Sequence, residues 1–202
     1  TGDNNPVLLT LQTGETDMAA DDVIGKIAFQ APDEGTGTDA ILVSGAIQAV
    51  AEGDHSSSSN ATRLEFMTGA SEAAATKMWL TSGGKLGLGT APDLGTLHVR
   101  TADSGASVSA HADELVIENS ANSGLSILSG NSSNGRIMFG DDGDNDIGYI
   151  EYDHSTNQLA LGANAGSHLK IDSAGHVTKP SNPSFRVYQS SDTDYANNHT
   201  MY

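Results

Sequence analysis

The residues with most obvious chemical potential are acidic. Asp141-Asp142-Gly143-Asp144-Asn145-Asp146 sets four carboxylates within six residues, and closely spaced oxygens of this kind suit a hard cation such as calcium. The order departs from the D-x-[DN]-x-[DN]-G-x₅-E loop that wraps calcium between helices. Gly, Asn and Asp are also the residues that close turns, so a solvated hairpin turn between Phe139 and Ile147 is expected and no metal site is assigned. Histidines at 55, 98, 111, 154, 168, 176 and 199 raise a second metal question. None stands in an H-x-H or H-x-x-H pair, and packing or solvent exposure is expected for them, although His98 and His176 each fall near the end of a candidate unit, where three copies could face one axis.

Paired carboxylates can hydrolyse a glycosidic bond when they stand ~5 to 10 Å apart. Glu114, Glu118, Glu151 and Asp153 are candidates by type. All occupy alternating outward positions of predicted strands, and any i, i+2 pair on a strand lies ~7 Å apart. No Gly-x-Ser-x-Gly elbow and no phosphate-binding glycine loop occurs. No catalytic residue is assigned, no cofactor is expected, and the chain is read as a non-enzyme. Trp79 and the tyrosines at 149, 152, 188, 195 and 202 could stack on sugar rings, but most lie in predicted strands, where burial at a subunit interface is expected.

Such residues need a frame, and composition limits it. The chain has 202 residues, 23 Gly, no Cys, and aromatics at 5%, with a formal charge of −17. Few large apolar side chains make a thick core hard to build. Phosphate backbones are bound through Lys and Arg, and 9 of these against 26 Asp plus Glu exclude nucleic acid as the expected partner. No apolar run approaches the ~20 residues of a membrane-spanning helix, so membrane insertion is not expected. Without Cys there is no disulfide framework and no zinc-thiolate site. The sequence opens Thr1-Gly2-Asp3 and stops at Tyr202 in what reads as a new strand, so a piece of a longer chain is expected.

Helical periodicity is nearly absent. Ser71 to Lys77 is helix-friendly but spans about two turns, and a loop with a helical turn is expected there. Short alternating runs recur instead, among them Lys26-Ile27-Ala28-Phe29, Arg63-Leu64-Glu65-Phe66 and Leu169-Lys170-Ile171, each placing apolar side chains on one strand face. The expected class is all-β.

Internal repetition then decides the organisation. Gly25 to Phe29 matches Gly135 to Phe139, Gly45 to Ala49 matches Gly148 to Tyr152, Arg63 to Phe66 matches Gln158 to Leu161, and Met78 to Leu86 matches Leu169 to Val177, in the same order. The offset falls from 110 residues at Gly25/Gly135 to 91 at Gly84/Gly175, because the first copy carries polar inserts at Asp33 to Thr38 and Asp54 to Asn60. The expected division is a first repeat over 1–100, a connector over 101–112, a second repeat over 113–180, and the start of a further domain over 181–202. A lone chain of this kind leaves strand edges and an apolar stripe in water. Closed symmetry removes both, and a homotrimer is expected, with a dimer or a single-chain solenoid as alternatives.

Gly84-Lys85-Leu86-Gly87-Leu88-Gly89-Thr90-Ala91-Pro92, followed by Leu97-His98-Val99, resembles an element that recurs in the tail fibres of tailed bacteriophages. Gly135 to Val177 is similar to the shaft repeats of the same family. The resemblance implies an elongated, intertwined homotrimeric β shaft of β-helix character in the virion, outside the cell. Its partners would be further copies of itself, other tail or baseplate proteins, and a host surface glycan or protein receptor engaged through a tip. It also implies that Asn182 to Tyr188 opens a jelly-roll knob. A bacterial cell-surface adhesin or filament is the alternative function, and a polysaccharide-depolymerising tailspike the second alternative.

Overall fold

The computed structural model describes residues 6–32 and 37–180. The expected opening of a knob at Asn182 lies outside them, as does most of the insert at Asp33 to Thr38. Among the described residues the chain is all-β, with one 3₁₀ turn at Asp39–Ile41.

The first unit ends at Leu125 and holds seven strands. They are β1 (Val23–Gln30), β2 (Val43–Ala51), β3 (Thr62–Thr68), β4 (Ala75–Leu80), β5 (Leu86–Leu88), β6 (Leu97–Arg100) and β7 (Leu115–Glu118). They pair in chain order, antiparallel from β1 to β5 and parallel from β5 to β7. The second unit begins at Ser126 and holds β8 (Asn134–Phe139), β9 (Gly148–Asp153), β10 (Gln158–Ala163), β11 (Gly166–Ile171) and β12 (Val177–Thr178). These pair in chain order as one antiparallel meander.

Two local expectations differ from what is observed. Residues 113 to 118, read as the opening of the second repeat, instead supply β7, whose parallel pairing with β6 joins it to the first sheet. The Ser71 to Lys77 run forms bends and then enters β4. Its helix propensity yields to the sheet, because Ala74 N–H donates to Val43 O at 2.8 Å and Ala75 and Thr76 pair with β3.

The repetition extends to hydrogen-bond register. Gly25 faces Ala49 and Phe29 faces Gly45, just as Gly135 faces Tyr152 and Phe139 faces Gly148. Leu64 then faces Leu80 as Leu159 faces Ile171. Even the irregularity recurs, with a register shift between Phe66 and Met67 and another between Leu161 and Gly162. The closing turns agree too. Thr81 N–H donates to Lys85 O at 3.0 Å, and Asp172 N–H donates to His176 O at 3.1 Å.

Because side chains alternate across a strand, this register sorts each sheet into two faces. One face of the first sheet carries Ile27, Ile47, Phe66, Met78, Leu88, Val99 and Ile117 as a single cross-strand row. A second row on that face runs Leu64, Leu80, Leu86, Leu97, Leu115. The second sheet repeats the arrangement with Ile137, Ile150, Leu161 and Leu169, beside Tyr152, Leu159, Ile171 and Val177. Most of the buried strand side chains lie on the other faces, Ala46, Val50, Glu65, His98 and Glu118 in the first sheet and Ala160 in the second, while Ala51 at the end of β2 is buried on the side of Ile47.

Candidate functional site

The apolar faces are continuous across the strands of each sheet, and they are open. Ile27 is 43% exposed and its counterpart Ile137 42%, while Phe29 and Phe139 are each 56% exposed. Full burial of such a side chain contributes ~1.5 to 3 kcal/mol, so each forgoes roughly half of that in a lone chain. No second layer of strands covers either face among the described residues. In each sheet one shallow depression is ringed by matching residues: Ile27, Ile47 and Leu64 in the first, Ile137, Ile150 and Leu159 in the second.

The opposite face of the first sheet holds two buried charge clusters. In the first, the Glu65 carboxylate accepts from Gln48 Nε2 at 2.8 Å, Thr76 Oγ1 at 2.8 Å and Arg63 Nε at 2.6 Å. Arg63 also reaches Asp21 Oδ1 at 2.8 Å, tying the loop before β1 to the sheet. Burial opposes ionisation of Glu65, but the Arg63, Thr76 and Gln48 donors together keep its carboxyl below the usual range.

The second cluster depends on the parallel strands. His98 is fully buried on β6, and its Nε2 lies 2.9 Å from Glu118 Oε2 on β7. Its Nδ1 lies 3.0 Å from Asp93 Oδ1, at ion-pair distance but off hydrogen-bond geometry, so that nitrogen lacks a hydrogen-bond partner. Glu118 Oε1 accepts from Ser104 N–H at 2.7 Å and from its hydroxyl at 2.8 Å. The Ser104 backbone donor above all, then its hydroxyl and His98, draw the Glu118 carboxyl down to about 2. Arg100 hydrogen-bonds Thr90 and stands within 3.8 Å of the Asp93, Asp103 and Glu118 carboxylates.

The glycine-rich element explains how β5 and β6 come so close. A Cβ on Gly89 would stand 2.1 Å from Arg100 O, and its φ of +82° lies in the left-handed region, which glycine enters without steric cost. A Cβ on Gly87 would likewise stand 2.1 Å from Thr90 O.

The other sequence candidates are dispersed. Asp141 accepts N–H bonds from Gly143 at 2.8 Å and Asp144 at 2.9 Å, which hold its carboxyl below the usual range. Those are the bonds of a turn, and they close the β8–β9 hairpin. Glu151 pairs with Arg136 across β8 and β9. Asp153 accepts from Ser155 and Thr156 in the next hairpin, and Glu114 is exposed. His176 meets Asp172 at 3.0 Å in an exposed turn, and His168 Nε2 lies 2.9 Å from Ala163 O. His111 is exposed, whereas His55 and His154 are half-buried. Among the described residues no three His, Asp or Glu side chains gather in a metal-holding group. Trp79 and Tyr149 are half-buried and Tyr152 is exposed; His199, Tyr188, Tyr195 and Tyr202 lie outside the described residues.

Sequence reasoning missed the buried role of Glu118, placing it among outward carboxylates. The alternation that exposes Leu115 and Ile117 on one face puts Val116 and Glu118 on the other, but the Ser104 loop that closes over the carboxylate leaves no local pattern.

No protein-family model and no curated protein matches the chain. Among solved structures, the carboxy-terminal domain of the bacteriophage T5 L-shaped tail fibre aligns over 100% of this chain and 97% of its own, at 14% identity and a TM-score of 0.39. The same domain with its intramolecular chaperone domain aligns over 100% of this chain and 67% of its own, at 12% identity and a TM-score of 0.43.

Proposed function

We propose that the chain is a structural shaft segment of a virion appendage of the tail-fibre kind, assembled as a homotrimer whose copies bury their apolar faces together. It works by shape, stiffness and multivalency, joined to other tail or baseplate proteins and holding a host receptor-binding tip away from the particle. The observation that carries this reading is the open apolar face, present twice in the same register. A single-layer sheet with one face this apolar is stable in water when another surface covers it. Threefold closure lets identical faces cover one another, while the charged faces stay outside and keep a chain of charge −17 soluble. The sequence resemblance of Gly84 to Val99 and Gly135 to Val177 to tail-fibre shafts points the same way. On this reading the sheet at 23–118 and the sheet at 134–178 are successive shaft repeats.

Multi-angle light scattering tests the assembly. A mass of three times 20.8 kDa that persists in mild detergent is expected, and a single species of 20.8 kDa overturns the proposal. For the appendage role, antibody raised against this chain should label whole virions at tail ends. Labelling of the envelopes of uninfected cells, with none on virions, contradicts it.

A further inference from the structure

The repetition begins before the first strand of each unit. Leu9, Leu11, Thr13 and Gly14 recur as Leu125, Ile127, Ser129 and Gly130, giving each sheet an apolar lead-in segment. Both segments touch the apolar face at the same point. A Cβ on Gly25 would stand 2.8 Å from Leu11 Cβ, and one on Gly135 would stand 3.6 Å from Ile127 Cγ2. Leu11 and Ile127 thereby form one wall of the matching depressions. Neither segment adds a strand to its sheet.

Among the described residues, the rest of each segment packs on little within its own chain. Val7 is 102% exposed, Leu8 80% and Leu9 76%; Leu125 is 64% and Leu128 92% exposed. Five extended residues from Val7 to Leu11 reach ~16 Å, about three strand spacings. That is enough to cross part of a sheet face. Residues 4–14 and 119–135 contain no Asp, Glu, Lys or Arg, so two copies of this strongly acidic chain can approach there without bringing like charges together.

Resting on the self-association reading, we propose that residues 7–14 and 125–130 are clasp arms, each seated on its own sheet by Leu11 or Ile127 and laying its outer leucines on the apolar face of a neighbouring copy of this chain. A second copy is the occupant because it offers, twice and in matching register, an open apolar surface suited to both uncharged arms. Glycine at 25 and 135 makes room for the anchoring side chain.

The test uses the absence of native Cys. Two distinguishably tagged chains, one Leu128→Cys and one Leu161→Cys, are co-expressed and treated with a short bis-maleimide, beside the combined variant Leu8→Asp, Leu9→Asp, Leu128→Asp. The three Asp substitutions fall on side chains that project into solvent in the single chain, so each chain should still fold, as circular dichroism will report. A covalent product joining the two tagged chains, and at least a tenfold rise in the concentration at which the triple variant assembles, are expected. If the unsubstituted chain is monomeric, self-association and clasp fall together. If it assembles while the triple variant assembles equally well and no mixed product forms, the clasp alone is overturned.

Discussion

Where the first sheet places Glu65, the second places Ala160, and where the first has Gln48, the second has Glu151. The charge on the polar faces differs: the first sheet gathers Arg63, Thr76 and Gln48 around one buried carboxylate, while the second joins Arg136 to Glu151 on the surface. On the other faces the same comparison finds Ile27 opposite Ile47 and Ile137 opposite Ile150. Two copies of one meander have therefore kept the face that is unfavourable in water and altered the one that water tolerates. The difference teaches that the apolar face answers to a requirement common to both units, one that the proposed covering by further copies would satisfy. The first unit then adds β6, β7 and the His98–Glu118 cluster, which the second lacks among its described residues.

That contrast can be broken most forcefully on the shared face. Ile47→Asp and Ile150→Asp occupy equivalent positions, and an unpaired carboxylate buried in an assembled face costs several kcal/mol. Each should dissociate the assembly to monomers by light scattering, to a similar degree, and a clear inequality would show that the two faces play different parts.

Gly89→Ala comes next, since its Cβ would meet the Arg100 carbonyl. It should lower the unfolding temperature and expose β6 and β7 amides to hydrogen exchange while leaving β8 to β12 protected. On the outer faces, Glu65→Ala leaves Gln48 and Thr76 without their acceptor and should cost about 1 to 3 kcal/mol in denaturant unfolding. Glu151→Ala removes an exposed ion pair and should cost about 0 to 1 kcal/mol.

A smaller effect depends on pH. Glu118 is drawn from 4.5 to about 2 in the folded chain, so its ionised form favours the fold. That contribution is complete above the unfolded value and is lost as pH falls through the folded one. Between pH ~4.5 and ~2 the unsubstituted chain should lose more thermal stability than Glu118→Gln, the turn carboxylates being common to both. The smallest effect is expected at the matching turns. Thr81 Oγ1 accepts from Lys85 N–H at 3.1 Å where Asp172 Oδ1 accepts from His176 N–H at 2.9 Å. Asp172→Thr should leave the unfolding temperature unchanged.

Much of the fold was legible because period-two alternation is a local signal. The aligned runs from Gly25 and Gly135 onward already contained the observed register, since strands joined in chain order as hairpins leave few other pairings. What was hidden is non-local. Pairing of Leu97–Arg100 with Leu115–Glu118 crosses a polar connector by a parallel link, so β7 was read as the start of the next repeat and Glu118 as an outward carboxylate. At Ser71 to Lys77, Ala and Glu suggested a helical turn that strand pairing overrode. The open apolar face was implied by the alternation itself, while its occupant is a matter of assembly that no single-chain pattern encodes.

The most direct test of that occupant is photochemical carbene footprinting of the unsubstituted chain in solution, read at Ile27, Phe29, Ile137 and Phe139 and compared with the Ile47→Asp and Ile150→Asp variants. Buried apolar faces predict weak labelling at all four residues in the unsubstituted chain and strong labelling in the variants. Strong labelling in both, at the level expected of side chains 42 to 56% exposed, would contradict the account.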